Sequence, residues 1–499
     1  MDLTFSETKL AYLRRLLCQV IHQEETAETI VPDSMPDVGR IIGCWGVPVL
    51  RGKEWRGGSL TASGGVPARL LYAPADDGPL QVMECYLPFT LRWELPQTDR
   101  EGVMQVRCRL RSIDARMLNS RKLLVRANVA ALGEAFLPEE ESFYTLPDPP
   151  RGLEVQTARY PLTLPADCCE KTFLLDEELT LPAGNPEISR VVYYGLTPEL
   201  SEGKVLGGKA VFKGTYRLHL VYLTPEGELT QWDQEVPFSQ FADLNREFED
   251  EPELTVDLLP TGVELEPMED GRTVALKCSV LAQCLICATR SVEVVQDAYS
   301  LRCPVELQRQ SVELESRLDR QQLQEPLRIP AEVQGSVEDL CGLVDYPRIE
   351  RRGEEICFET PVSCRVLYYD ENGALQGREF RGEAESSLPA DESSRCYGIT
   401  APAGRMQYSA AAGEIQGMAA LTVSCCAGQP IEAIQGITLG DPVPRSTQRP
   451  SVILRRTGGQ ESLWSLGKTY GSTVEAIRQA NDLTADSAPA GAMLLIPIL

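Results

Sequence analysis

Three stretches of this 499-residue chain repeat one pattern: VPARLLYAPADDGPL from Val66, TYRLHLVYLTPEGEL from Thr215 and PVSCRVLYYDENGAL from Pro361. Superposed on Tyr72, Tyr222 and Tyr368, they place Val66, Tyr216 and Val362 at one position. Ala68, Leu218 and Cys364 share the next, and Leu70, Leu220 and Val366 the one after. Every second residue is apolar, which is the period of a strand buried on one face. Arg69, His219 and Arg365 share an intervening position and predict a wetter opposite face. Each copy then enters ADDG, PEG or ENG, where a glycine supplies the positive φ of a tight hairpin. Upstream, Val31-Pro32, Leu181-Pro182 and Ile329-Pro330 keep nearly constant distances from the tyrosines. Copies one and two also share PDVGRI with PEISRV, and LPF with VPF. The third copy lacks these and is the most divergent.

A period of about 150 residues is too long for a solenoid, so each copy is expected to be a domain with its own core. The fold class that follows is mainly β: three tandem β-sandwich or barrel-like modules, over 29–137, 170–300 and 318–440. Proline-bearing stretches at 138–169 and 441–450 read as linkers. Ahead of the first copy, Leu10, Leu13, Leu17 and Ile21 have helical spacing and predict an N-terminal helix within residues 1–28, docked on a module or a partner.

Charge and cysteine usage narrow the function. A formal net charge of −25 would repel nucleic-acid phosphates and anionic membranes. From Pro450 onward Arg455, Arg456, Lys468 and Arg478 balance Glu461, Glu475, Asp482 and Asp486, so the acidity belongs to the earlier part. The N-terminus has acids ahead of any apolar run, unlike a secretory signal, and no stretch approaches the roughly 20 apolar residues of a membrane span. The expected location is cytoplasmic. Sixteen cysteines in such a compartment read as reduced, small apolar residues. Cys284 and Cys287 form a C-x-x-C inside a strand-like run, where residues three apart point to opposite faces, so no metal is expected.

No reactive constellation stands out. GKVLGGKA (203–210) has P-loop spacing but ends in Ala210 instead of a hydroxyl and runs into a strand, so it is a scaffold turn. GGSLTASGG (57–65) reads as a loop. His22 and His219 are the only histidines and have no nucleophile beside them in a recognisable setting. No motif asks for a cofactor, and the expectation is a binding or assembly protein, not an enzyme.

The last fifty residues differ in style. Leu463, Leu466 and Tyr470 give one helix an apolar stripe, and Gly471 is placed to end it. Ser472 and Glu475 have capping-box spacing for a second helix carrying Val474 and Ile477, which Asn481 closes in the left-handed conformation. VIL (452–454) and MLLIPI (493–498) flank the pair, giving a β-α-α-β unit whose core includes Trp464. ESLWSLGKTYGSTVEAIRQANDL and AGAMLLIP resemble the LysM domain over 451–499, with departures at Gln460, Glu461 and Gly467. That resemblance implies binding of N-acetylglucosamine-containing glycan in a groove of Gln460, Glu461, Ser462 and Leu463 on one side and Asp482, Leu483 and Thr484 on the other. Tandem modules with the PD-V-x-R-I element and the tyrosine strand, ahead of a LysM domain, resemble the SPOCS-bearing, SipL-like spore-coat morphogenetic proteins. The likeness implies a non-catalytic scaffold in the mother cell at the forespore surface. Its partners would be coat proteins, above all the polymerising ATPase of the coat's basement layer.

Overall fold

The computed structural model describes residues 3–96, 100–400, 406–443, 450–458 and 461–499, and it turns each copy of the repeat into two antiparallel sheets. The first module comprises β1 (Ser6–Ile30), β2 (Val38–Gly46), β3 (Val49–Arg56), β4 (Ser59–Pro74), β5 (Gln81–Glu94), β6 (Val103–Asn119) and β7 (Lys122–Thr145). One sheet has the order β1-β7-β6; in the other, β4 has β5 on one side and β2 and β3 end to end on the other. The second module repeats this with β8 (Leu153–Thr180), β9 (Arg190–Leu206), β10 (Lys209–Leu223), β11 (Leu229–Asp243), β12 (Glu253–Pro267) and β13 (Thr273–Ser300). Its sheets are β8-β13-β12 and β9-β10-β11. The third uses β14 (Val305–Pro330), β15 (Ser336–Val344), β16 (Arg348–Arg352), β17 (Glu355–Tyr369), β18 (Leu375–Pro389), β19 (Ser394–Thr400), β20 (Gln407–Ser409) and β21 (Glu414–Leu439). There β14 and β19 flank β21, and β15, β16 and β18 pair with β17.

The three repeat segments are the equivalent strands β4, β10 and β17. Their alternate residues are buried as the period requires: Val66, Ala68, Leu70 and Tyr72 in the first core, Tyr216, Leu218, Leu220 and Tyr222 in the second, Val362, Cys364 and Val366 in the third. The conserved spacing has a hydrogen-bonding reason. The Tyr72 hydroxyl donates to the Pro36 carbonyl at 3.1 Å and Tyr222 to that of Pro186 at 3.0 Å, so each PD-V or PE-I loop satisfies a hydroxyl that would otherwise be orphaned. The third copy has no proline there, and Tyr368 is only half-buried. All three predicted hairpins form. Gly227 and Gly373 take φ of 86° and 76°, but in the first copy Asp77 (φ 55°) bends the chain instead of Gly78.

Residues 6–25 are not a helix. They belong to β1, paired with β7 along its length. A β-bulge between Arg15 and Leu17 inverts the alternation, and the strand is covered from more than one side. Leu10 and Tyr12 enter a cluster shared by all three modules, Leu13 packs with Phe136 and Leu285, and Leu17 and Ile21 lie on the first core. An interrupted, two-faced strand thus imitates helical spacing. The expected linker over 138–169 is also mostly strand: only 146–152 separates β7 from β8. The third module begins at Val305 instead of 318, and 59–65, expected as loop, opens β4.

The modules do not hang as separate beads. Leu71, Val221 and Leu367, each one residue before the repeat tyrosine, are at most 1% exposed. They meet in a single cluster with Ile42, Trp45 and Tyr193, the two aromatic rings stacked at 4.6 Å. A second shared cluster joins Leu10 and Phe143 of the first module, Leu162 and Val292 of the second, and Leu314 and Ile431 of the third. The supposed wetter face is therefore a set of seams. Arg69 donates to the Val191 carbonyl on β9 at 3.2 Å, His219 meets Asp339 on β15 at 3.0 Å, and Arg365 donates to the Cys44 carbonyl on β2. Each repeat reaches the edge strand of the next, and the third returns to the first.

Leu71→Ala should cost about 2–5 kcal/mol in denaturant unfolding of the whole chain, whereas unconnected modules would lose far less from a residue on an outward face. Burial disfavours a charged His219, but Asp339 and Asp233 outweigh it and push its pKa up to about 9. Because that value is raised, its stabilisation is complete below about pH 6.5 and drains away as pH rises through about 9. His219→Gln should abolish that part of the alkaline loss in pH-dependent melting.

Candidate functional site

The tail is built by β22 (Val452–Arg456), β23 (Glu461–Ser462), α1 (Leu463–Tyr470), α2 (Val474–Ala480), β24 (Ser487–Ala488) and β25 (Met493–Pro497). β22 pairs with β25 and β23 with β24. Leu463, Leu466, Ile477, Leu494 and Ile496 form its core. The Ser462 hydroxyl caps α1 by accepting from the Ser465 N–H, and Gly471 ends it at φ 68°. The second cap differs from the expected box: Thr473, not Ser472, accepts from the Ala476 N–H. Ser472 is fully buried and its hydroxyl is unpartnered among the described residues. Asn481 is not left-handed either; Asp482 is, with φ 49°. Asn481 instead bridges α2 to β25, donating to the Ile477 and Leu495 carbonyls at 2.8 and 2.6 Å and accepting from the Leu495 N–H at 2.7 Å.

The two arms of the predicted groove lie at one end of this unit, because the Leu463 N–H bonds the Asp486 carbonyl at 2.8 Å and β23 pairs with β24. Ser462, Asp482 and Thr484 are exposed there. Glu461 is half-buried and engaged by Arg455 at 3.1 Å. Leu483 packs partly on the core. Leu463 is fully buried, so its side chain is core and not groove lining. Gln460 lies outside the described residues.

Trp464 is where sequence reasoning fails most. It does not belong to the tail's core but to a contact with the second module. Its indole N–H donates to Asp297 at 2.9 Å, and its ring meets Tyr299 edge-on at 4.8 Å. Lys468, one helical turn later, reaches both Asp297 oxygens at 2.7 and 2.8 Å. The Tyr299 hydroxyl donates to the Ser472 carbonyl at 2.9 Å. Burial works against a charged Asp297, but Lys468 and the indole outweigh it and hold its pKa below the ordinary value. Gly467 lies beneath: a Cβ there would approach the Tyr299 hydroxyl to 2.6 Å. A glycine inside a helix was the one available signal of this docking face.

The tail also carries an apolar ribbon. Leu454 and Leu495 are directly opposite in the β22–β25 ladder, with Val452 and Met493 two residues away on the same side, and all four are exposed. Elsewhere, a cavity of about 2330 Å³ is lined by all three modules. Its charges are largely paired among themselves: Arg107 with Glu134 and Asp257, Arg217 with Glu199, Arg365 with Glu379. Among the described residues no group of His, Cys, Asp and Glu could hold a metal ion. Cys284 lies in the second core and Cys287 against a seam cluster, on opposite sides of β13. Among the described residues no helix is long and apolar enough to cross a membrane.

Against known families, residues 460–497 match the LysM domain. No curated protein and no solved structure matches the chain. The β-α-α-β order and the matched span agree, so the chain carries a LysM domain at its C-terminal end.

The cap assignment is testable. Thr473→Ala should destabilise the tail by about 1 kcal/mol, while Ser472→Ala, which removes an unsatisfied buried hydroxyl, should be neutral or stabilising in the same thermal melts.

Proposed function

We propose that this chain is a non-catalytic binding scaffold whose LysM domain takes an N-acetylglucosamine-containing glycan between the start of α1 and the loop after α2. The LysM match over 460–497 carries this reading. It is supported by the exposure of Ser462, Asp482 and Thr484 at one end of the domain, on strand-end and loop positions that the docking contacts of Trp464 and Lys468 leave open. Titration of the full chain with chitin oligomers should show binding that falls at least about tenfold, or 1.4 kcal/mol, in Thr484→Arg. Absence of binding to any such oligomer would remove this reading.

A second reading is favoured by the apolar ribbon of Val452, Leu454, Met493 and Leu495, which suits a protein surface better than a sugar. Three modules ahead of a LysM domain resemble spore-coat scaffolds of the SipL-like kind. In that role the tail would grip the polymerising coat ATPase at the forespore surface, and several weak sites on one array would gain avidity. Pull-downs from sporulating cells with Leu454→Asp/Leu495→Asp should then lose coat proteins while chitin-oligomer binding persists.

A further inference from the structure

Asp297 owes its position to a fault in the ladder. The pairing of β13 with β8 slips between Val295 and Asp297, and such a bulge re-aims the side chains around it. One carboxylate thereby holds Trp464 and Lys468 of the tail and, at 3.3 Å, Arg309 of the third module. Tyr299, two residues on, is 6% exposed beneath α1. This acidic and aromatic pair on a strand is a socket, and the Trp464–Gly467–Lys468 face of α1 is its plug. Both are present in every copy of the chain, joined through DPVPRSTQRP at 441–450.

The geometry points to an exchangeable contact, in which the LysM domain of one copy docks on Asp297 and Tyr299 of a second copy. Charge confines that contact to the tail: the modules hold nearly all of the −25 and repel one another, so two copies meet only where the balanced tail of one presents Lys468 to the acidic body of the other. The connector sets the conditions. A short tether keeps the plug at an effective concentration of about a millimolar, so dilute copies close on themselves. Reciprocal exchange replaces two contacts by two identical ones, so it costs association entropy alone and is favoured where copies are crowded. This inference is independent of whether the groove takes glycan.

Charge reversal tests it with the full chain. Asp297→Lys faces Lys468 and Arg309, and Lys468→Asp faces Asp297, so neither variant can seat its own tail. Each alone should run as a single chain in size-exclusion chromatography with light scattering. Mixed in equal amounts at about 100 µM, a tenth of that effective concentration, they should give a species of twice the mass, since each plug finds a complementary socket on the other variant. The double variant, Asp297→Lys with Lys468→Asp, should run as a single chain and regain part of the thermal stability that Asp297→Lys loses, because the missing indole acceptor and the Arg309 repulsion are common to both and only the 297–468 pair is restored. A mixture that stays at single-chain mass while the double variant regains that stability would overturn exchange. A double variant no more stable than Asp297→Lys would overturn the socket itself.

Discussion

Burial of Leu71, Val221 and Leu367 is the constraint on which the rest of the body depends. The strands that carry them bury the repeat pattern on one side and these residues on the other. A sandwich standing alone would leave the second side in water, at roughly 25 cal/mol for each Å² of apolar surface. Three such strands instead cover one another, and the shared cluster at Leu10, Leu162 and Leu314 does the same at a second position along the modules. Once these contacts are made, polar side chains at the seams have little freedom. Arg69, His219 and Arg365 must find partners on the neighbouring edge strand, because a buried charge without one is expensive.

Much of this was legible from residues alone. The triplication, the hairpins and the inward set of each repeat strand follow from a two-residue period and turn chemistry, both local properties. What was hidden is what depends on a neighbour. The outward leucine and valine positions look ordinary until another module is placed against them, and the arginine and histidine between them then change from solvated to half-buried. β1 departs from the helix its spacing predicts for the same reason: a strand covered on both faces loses its alternation, and one bulge is enough to give it the spacing of a helix.

The tail shows the same division. Its helices, the stop at Gly471 and the two-stranded closure are evident in sequence, whereas the second cap is Thr473 in place of Ser472, the left-handed residue is Asp482 in place of Asn481, and Trp464 faces the second module. A glycine in mid-helix costs up to about 1 kcal/mol relative to alanine. Gly467 is tolerated because the Tyr299 hydroxyl occupies the space a Cβ would need. Local stability is given up where two units must approach closely, and such a concession is readable in sequence only when a second surface is suspected.

Fusing three copies into one polypeptide has a genetic consequence. A symmetric homotrimer must repeat every substitution at all three equivalent sites, so a change that helps one joint is imposed on the others. Here the equivalent positions hold Arg69, His219 and Arg365, and of these three side chains only His219 gives up its charge as pH rises through about 9. Each joint is thus free to drift, to be tuned, or to acquire its own sensitivity without disturbing its counterparts.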